Sequence, residues 1–95
     1  MSESTFRAVV FSVDPDAVCK AVRLENGLLS WSNPTRDLFQ LGTATIELHR
    51  HGGEWAIRVN AVTEDDVRDT LARLRLDPTV DVTDEIKPQP VRARQ

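Results

Sequence analysis

The amino-acid sequence predicts an α+β domain of the ferredoxin-like, split βαβ kind. It would hold a four-stranded antiparallel sheet with two helices on one face and an insertion at about residues 28–42. Three observations lead there. The elements read in the order strand, helix, inserted segment, strand, strand, helix, strand. A Gly-Gly turn dictates one hairpin register in which both faces agree rung by rung. The first strand is apolar on both sides, as suits a strand in the middle of a sheet.

Residues 5–13, TFRAVVFSV, are rich in β-branched and aromatic side chains and predict that first strand. Phe6, Ala8 and Val10 share one face; Arg7, Val9, Phe11 and Val13 share the other. Residues 14–27, DPDAVCKAVRLENG, predict a helix. Asp14 can cap it, Pro15 suits the first helical position, and Asp16 complements the dipole. Ala17, Val18, Ala21, Val22 and Leu24 make an apolar stripe, and Gly27 suits the positive-φ position past the last turn. A rival hairpin on Asn26-Gly27 would set Leu24 against Leu29 and Val22 against Trp31. The Asp-Pro-Asp start favours the helix.

Residues 28–42 carry Leu28, Leu29, Trp31, Leu38, Phe39 and Leu41, too many apolar groups for a solvated loop. Asn33, Pro34 and Gly42 suit the cap, first turn and stop of a short helix. Any apolar group left exposed there forms a contact surface.

In IELHRHGGEWAIRV, residues 46–59, a Gly52-Gly53 turn pairs His51 with Glu54. One face then pairs Arg50 with Trp55, Leu48 with Ile57, Ile46 with Val59 and Ala44 with Ala61. The other pairs Glu47 with Arg58, His49 with Ala56 and Thr45 with Asn60. The Arg50 guanidinium suits stacking over Trp55.

Residues 63–76, TEDDVRDTLARLRL, predict the second helix. Thr63 caps it, Asp66 stands at the third position, and Glu64 and Asp65 favour its N-terminus. Val67, Leu71 and Leu74 face inward with Thr70 beside them; Arg68, Arg73 and Arg75 face away. Asp77-Pro78 stops it. TVDVT, residues 79–83, predicts a last short strand with Val80 and Val82 inward and Asp81 outward. The single domain is expected to span 1–86, and KPQPVRARQ, residues 87–95, to be a disordered tail.

The chain of 95 residues is one domain, and 40% hydrophobic with 28% charged residues is an ordinary globular composition. A net charge of -3 and a pI of about 5.3 oppose a general binder of phosphate backbones. Glu54, Ala56, Arg58 and Asn60 on the outward side of the third core strand offer no aromatic to stack a base. Nucleic acid is therefore not an expected partner. No apolar run reaches membrane-span length, and the first residues lack a signal-peptide core. The single Cys19 cannot close an internal disulfide. The expectation is a cytoplasmic protein of a bacterium or its phage, without a membrane partner.

His49, His51 and Glu54 are the weak candidates for a metal site. The two histidines sit on the polar side of one strand, without a third imidazole, so the reading is a solvated strand face with no metal and no cofactor. Cys19 lies beyond the free N–H groups of its helix start and reads as a packing thiol. No Gly-rich phosphate loop or nucleophile elbow is present, so the chain does not read as an enzyme. The expected function is a small non-catalytic protein-binding module: a regulatory, inhibitor or adaptor protein. Its partner would be another protein or a second copy of itself, met through the open sheet face or the Trp31–Leu41 segment. The interaction residues are Val9, Phe11, Val13, Arg58, Trp31, Leu38 and Phe39. The alternatives are a small-ligand sensor at the first strand–helix turn (Val13, Asp14, Pro15, Asp16) and a metal-dependent enzyme at the hairpin tip.

Overall fold

A computed structural model of the chain describes residues 4–86; the tail expected over 87–95 lies outside them. The element order is β1 (Ser4–Val13), α1 (Pro15–Leu24), β2 (Leu28–Asn33), β3 (Arg36–Leu41), β4 (Ala44–His51), β5 (Glu54–Ala61), α2 (Glu64–Arg73) and β6 (Val82–Ile86). The strands form one antiparallel sheet of six, in the order β2-β3-β4-β5-β1-β6. The α+β class holds, but the sheet is not the plain four-stranded one expected. β1 is interior but not central: it is fifth in the order, between β5 and the end strand β6. The segment 28–42 is not a helix: it is a second hairpin that extends the sheet beyond β4.

The physical reason for that correction lies in Asn33. The same side-chain chemistry serves a helix cap and an Asx turn. Here the Asn33 Oδ1 accepts from the Thr35 backbone N–H at 2.9 Å and from the Thr35 hydroxyl at 3.1 Å. That closes a tight turn around Pro34, and no helix follows it. Beyond the turn the chain alternates: Phe39 and Leu41 are buried, while Gln40 between them is exposed.

The hairpin of β4 and β5 has the register set by its turn. Glu47 faces Arg58, Leu48 faces Ile57, His49 faces Ala56 and Arg50 faces Trp55. Ile46, Leu48, Ile57 and Val59 have no exposed surface and form the centre of the core. Val18 and Val22 of α1, with Val67 and Leu71 of α2, join the same cluster. Fully burying such side chains stabilises the fold by about 1.5–3 kcal/mol each. Both helices therefore cover one face of the sheet, and the opposite face is open.

The helix starts are as expected. Asp14 accepts from the Asp16 N–H at 3.1 Å, and Thr63 from the Asp66 N–H at 3.1 Å. The ends differ in one respect. The positive φ after α1 belongs to Asn26 (66°), not to Gly27. The Gly27 N–H reaches back to the Val22 carbonyl at 2.8 Å and the Asn26 N–H to Arg23 at 3.0 Å, a Schellman closure. Gly27 is needed for space: a Cβ there would lie 2.4 Å from Val22 Cγ1. The end of α2 repeats the closure with Arg75 at φ 61° and Leu76 N–H on the Leu71 carbonyl at 2.8 Å.

Arg68 does not simply face solvent. It donates to the Pro78 carbonyl at 2.6 Å and the Val80 carbonyl at 3.2 Å, and it pairs with Glu64 at 2.7 Å. The last strand consequently starts later than expected, at Val82, because residues 77–80 are held as a connection. Asp77 accepts from the Thr79 hydroxyl at 2.6 Å and its N–H at 2.9 Å, which holds the Asp77 carboxyl below its ordinary pKa. Val80 and Val82 still pack against the core, and Val82 faces Ala8.

Candidate interaction surface

The register of the six strands fixes what the open face presents. One row crosses it as Trp31, Leu38, Glu47, Arg58 and Val9; the next as Asn33, Arg36, His49, Ala56 and Phe11. At about 4.8 Å between strands, the row from Trp31 to Val9 spans roughly 19 Å. Its middle is polar. Glu47 takes the Arg36 Nη1 at 2.9 Å and the Arg58 Nη1 at 3.2 Å, and is itself largely buried. The Arg36 guanidinium also lies over the Trp31 ring, 5.1 Å from its centroid. The stacked cation recorded among the described residues is thus Arg36 over Trp31, whereas Arg50 over Trp55 was expected. A concavity of about 350 Å³ opens among Arg36, Arg50, Arg58, Glu47, His49 and the Asn33–Thr35 turn.

The apolar material lies at the margins. At one margin Phe11 is 58% exposed, with Val9 half-buried beside it. At the other stands β2, whose six residues are all exposed: Leu28 at 70%, Leu29 at 57%, Trp31 at 45%. β2 is also the end of the sheet order, so no strand among the described residues pairs with its outer backbone. A register shift between Leu29 and Trp31 puts these two on opposite sides of the strand. Leu29 faces Phe39 on the helix side; Trp31 faces Leu38 on the open side.

Of the residues expected on one surface, Val9, Phe11, Arg58, Trp31 and Leu38 share the open face. Val13 and Phe39 do not. The strand bulges at Ser12 (φ 59°), so Val13 falls opposite Trp55 and packs against the core. Phe39 is 5% exposed and belongs to the core, because Leu38 already occupies the outward side of the alternation. Sequence reasoning missed Arg36, which links Trp31 to Glu47. The alternating pattern of RDLFQL was the signal that could have found it.

Glu54 of the hairpin tip accepts a hydrogen bond from the Ser12 hydroxyl. Among the described residues no group of three or more His, Cys, Asp or Glu side chains could hold a metal ion. Cys19 is half-buried and borders a groove of about 340 Å³ with Leu28, Leu29 and Phe39. Burial, and then the nearby Asp37 carboxylate, push its thiol pKa up. At the first strand–helix turn, Phe11, Ser12, Asp14, Ala17 and Leu76 line a hollow of about 310 Å³. No helix among the described residues is long and apolar enough to cross a membrane. No protein-family model, curated protein or solved structure matches the chain.

Proposed function

We propose that this chain is a small non-catalytic protein-binding module, of regulatory, inhibitor or adaptor type, which binds through the β2 margin of its sheet. The first partner that this margin fits is a second copy of itself. The observation that carries the reading is β2: an end strand, LLSWSN, exposed along its whole length. Such a strand offers a row of unpaired N–H and C=O groups. Proteins usually blunt such edges with charge, proline or a covering element. β2 has no charged residue, and its shift in register makes it apolar on both sides.

The open face as a whole suits association less well than its margin does. Burying the Arg36–Glu47–Arg58 ladder against a second sheet would desolvate three charges, a penalty that pairing rarely exceeds by much. Antiparallel pairing of β2 with its copy leaves that ladder in water. It buries Leu28, Leu29 and Trp31 of both chains, on the order of 5–12 kcal/mol in total at their present exposure. Association costs about 4–15 kcal/mol, a range that overlaps this gain, so the pairing is expected to be weak, no tighter than about micromolar.

Light scattering on three purified chains tests this. The natural chain should show twice the 10.7 kDa chain mass at high concentration, and Phe11→Asp should do the same. Trp31→Asp should stay folded and run at the single mass. A natural chain that remains monomeric, or a Trp31→Asp dimer, refutes the reading. Phe39→Asp is not a fair probe, since that side chain is in the core and its replacement would unfold the chain.

A second reading, a small-ligand sensor at the first turn, is favoured by the hollow beside Asp14. Its walls are apolar and its charged groups are Asp14 and Arg75, one of each sign, which suits a zwitterion such as an amino acid with an apolar side chain. A thermal-shift screen over amino acids and biogenic amines tests it: no stabilising compound removes it.

A further inference from the structure

We infer that a second copy of the chain pairs with β2 in a single antiparallel register: Leu28 opposite Asn33, Leu29 opposite Ser32 and Ser30 opposite Trp31. The inference rests on the reading of β2 as the association edge. It adds a role for the bulge at Ser30, which sets that register.

Residues of a regular strand alternate between its two faces. β2 breaks the alternation once. Leu28 faces Gln40, Trp31 faces Leu38 and Asn33 faces Arg36, all on the open side. Leu29 faces Phe39 and Ser32 faces Asp37, on the helix side. Ser30 is the residue that the pairing with β3 skips. Leu29 and Ser32 therefore share a face although they are three apart, and so do Leu28 and Asn33, five apart.

Across a two-fold axis, residue i of one copy meets j of the other, and j meets i. In the register above all six residues of β2 find partners, and each rung beside the bulge joins residues of one face. Sliding by one residue sets Leu29 against Trp31 or Asn33, which stand on the other face. Sliding by two sets Ser32 against Trp31, or Leu29 against the skipped Ser30, and leaves only part of the strand paired. A one-residue slip flips side chains to the wrong face, so the matched register is favoured strongly. Parallel pairing about a two-fold axis turns the helix side of one copy to the open side of the other, and no rung then matches. Charge does not oppose the arrangement. β2 carries none, and its charged neighbours Arg36 and Asp37 both lie beside its Asn33 end, so those of the two copies go to opposite ends.

Disulfide capture tests the register. It uses the full chain with Cys19→Ser, which removes the one native thiol. Leu28→Cys and Asn33→Cys are made in separate chains and treated with diamide, alone and as an equimolar mixture. Diamide takes up the two electrons and two protons released as the S–S bond forms. Positions 28 and 33 should stand about 4.5–5.5 Å apart between Cα atoms, within disulfide reach. Two copies of position 28 should stand roughly 17 Å apart, beyond it. The mixture should therefore cross-link at least ten-fold faster than either chain alone, and Trp31→Asp in both chains should abolish the excess. Leu29→Cys with Ser32→Cys repeats the test one rung inward and spares Asn33, whose side chain closes the turn. If the natural chain is dimeric by light scattering and neither mixture cross-links faster than its separate chains, the register is refuted while association at β2 stands. A monomeric natural chain removes the β2 reading, and the register with it.

Discussion

At the end of α1 the residue with left-handed backbone and the residue with no room for a side chain are neighbours. Asn26 carries the positive φ, and Gly27 sits against Val22. Substitutions at the two should therefore act in opposite directions. Asn26→Gly relieves a left-handed residue and stabilises by a few tenths of a kcal/mol. Arg75→Gly, at the matching position after α2, stabilises by about 1 kcal/mol, since arginine tolerates that backbone less well than asparagine. Gly27→Ala pushes a methyl into a buried valine and destabilises by roughly 1–3 kcal/mol. Urea unfolding of the three variants measures all of it. Cys19 gives a chemical readout at the same scale. Its thiol pKa is raised by burial and by Asp37, so less thiolate is present at pH 8 than for an exposed cysteine. Iodoacetamide should react with it several-fold more slowly than with a free thiol. Asp37→Asn should speed the reaction, because it removes the second cause.

Among the elements, the β4–β5 hairpin and both helix starts were legible in the sequence, since each was set by a local rule with one solution. A two-residue turn allows one register, and Thr63 three residues before Asp66 allows one cap. The β2–β3 hairpin was not legible, because Asn33-Pro34 satisfies helix-start and turn rules equally. What decides between them is pairing with β4, a contact remote in sequence. The bulge at Ser12 was hidden for a similar reason: nothing in PheSerVal shows which residue the strand will skip. Two variants gauge these elements. Ile57→Ala, in the centre of the core, should cost about 2–5 kcal/mol. Thr63→Ala, which removes the cap of α2, should cost about 1 kcal/mol. Chemical unfolding followed by circular dichroism measures both.

For the whole molecule, the make-up of the open face was partly legible. Val9, Phe11, Arg58, Trp31 and Leu38 could be assigned to one face once the first strand and hairpin parity were known. The importance of β2 could not be read, because an edge exists only when the strand order does. With that order β2-β3-β4-β5-β1-β6, the chain has one end strand that is uncharged and apolar on both sides. The other end strand, β6, carries Asp84 and Glu85 in its sequence. That contrast in sequence is the reason the proposed pairing is placed at β2.

Amide hydrogen exchange along residues 28–33, measured at low and high protein concentration, bears most directly on that claim. Pairing of β2 between copies predicts that its outward N–H groups exchange more slowly as concentration rises, while the exchange of β6 stays constant. Exchange of the β2 amides at one rate across the whole range would contradict it.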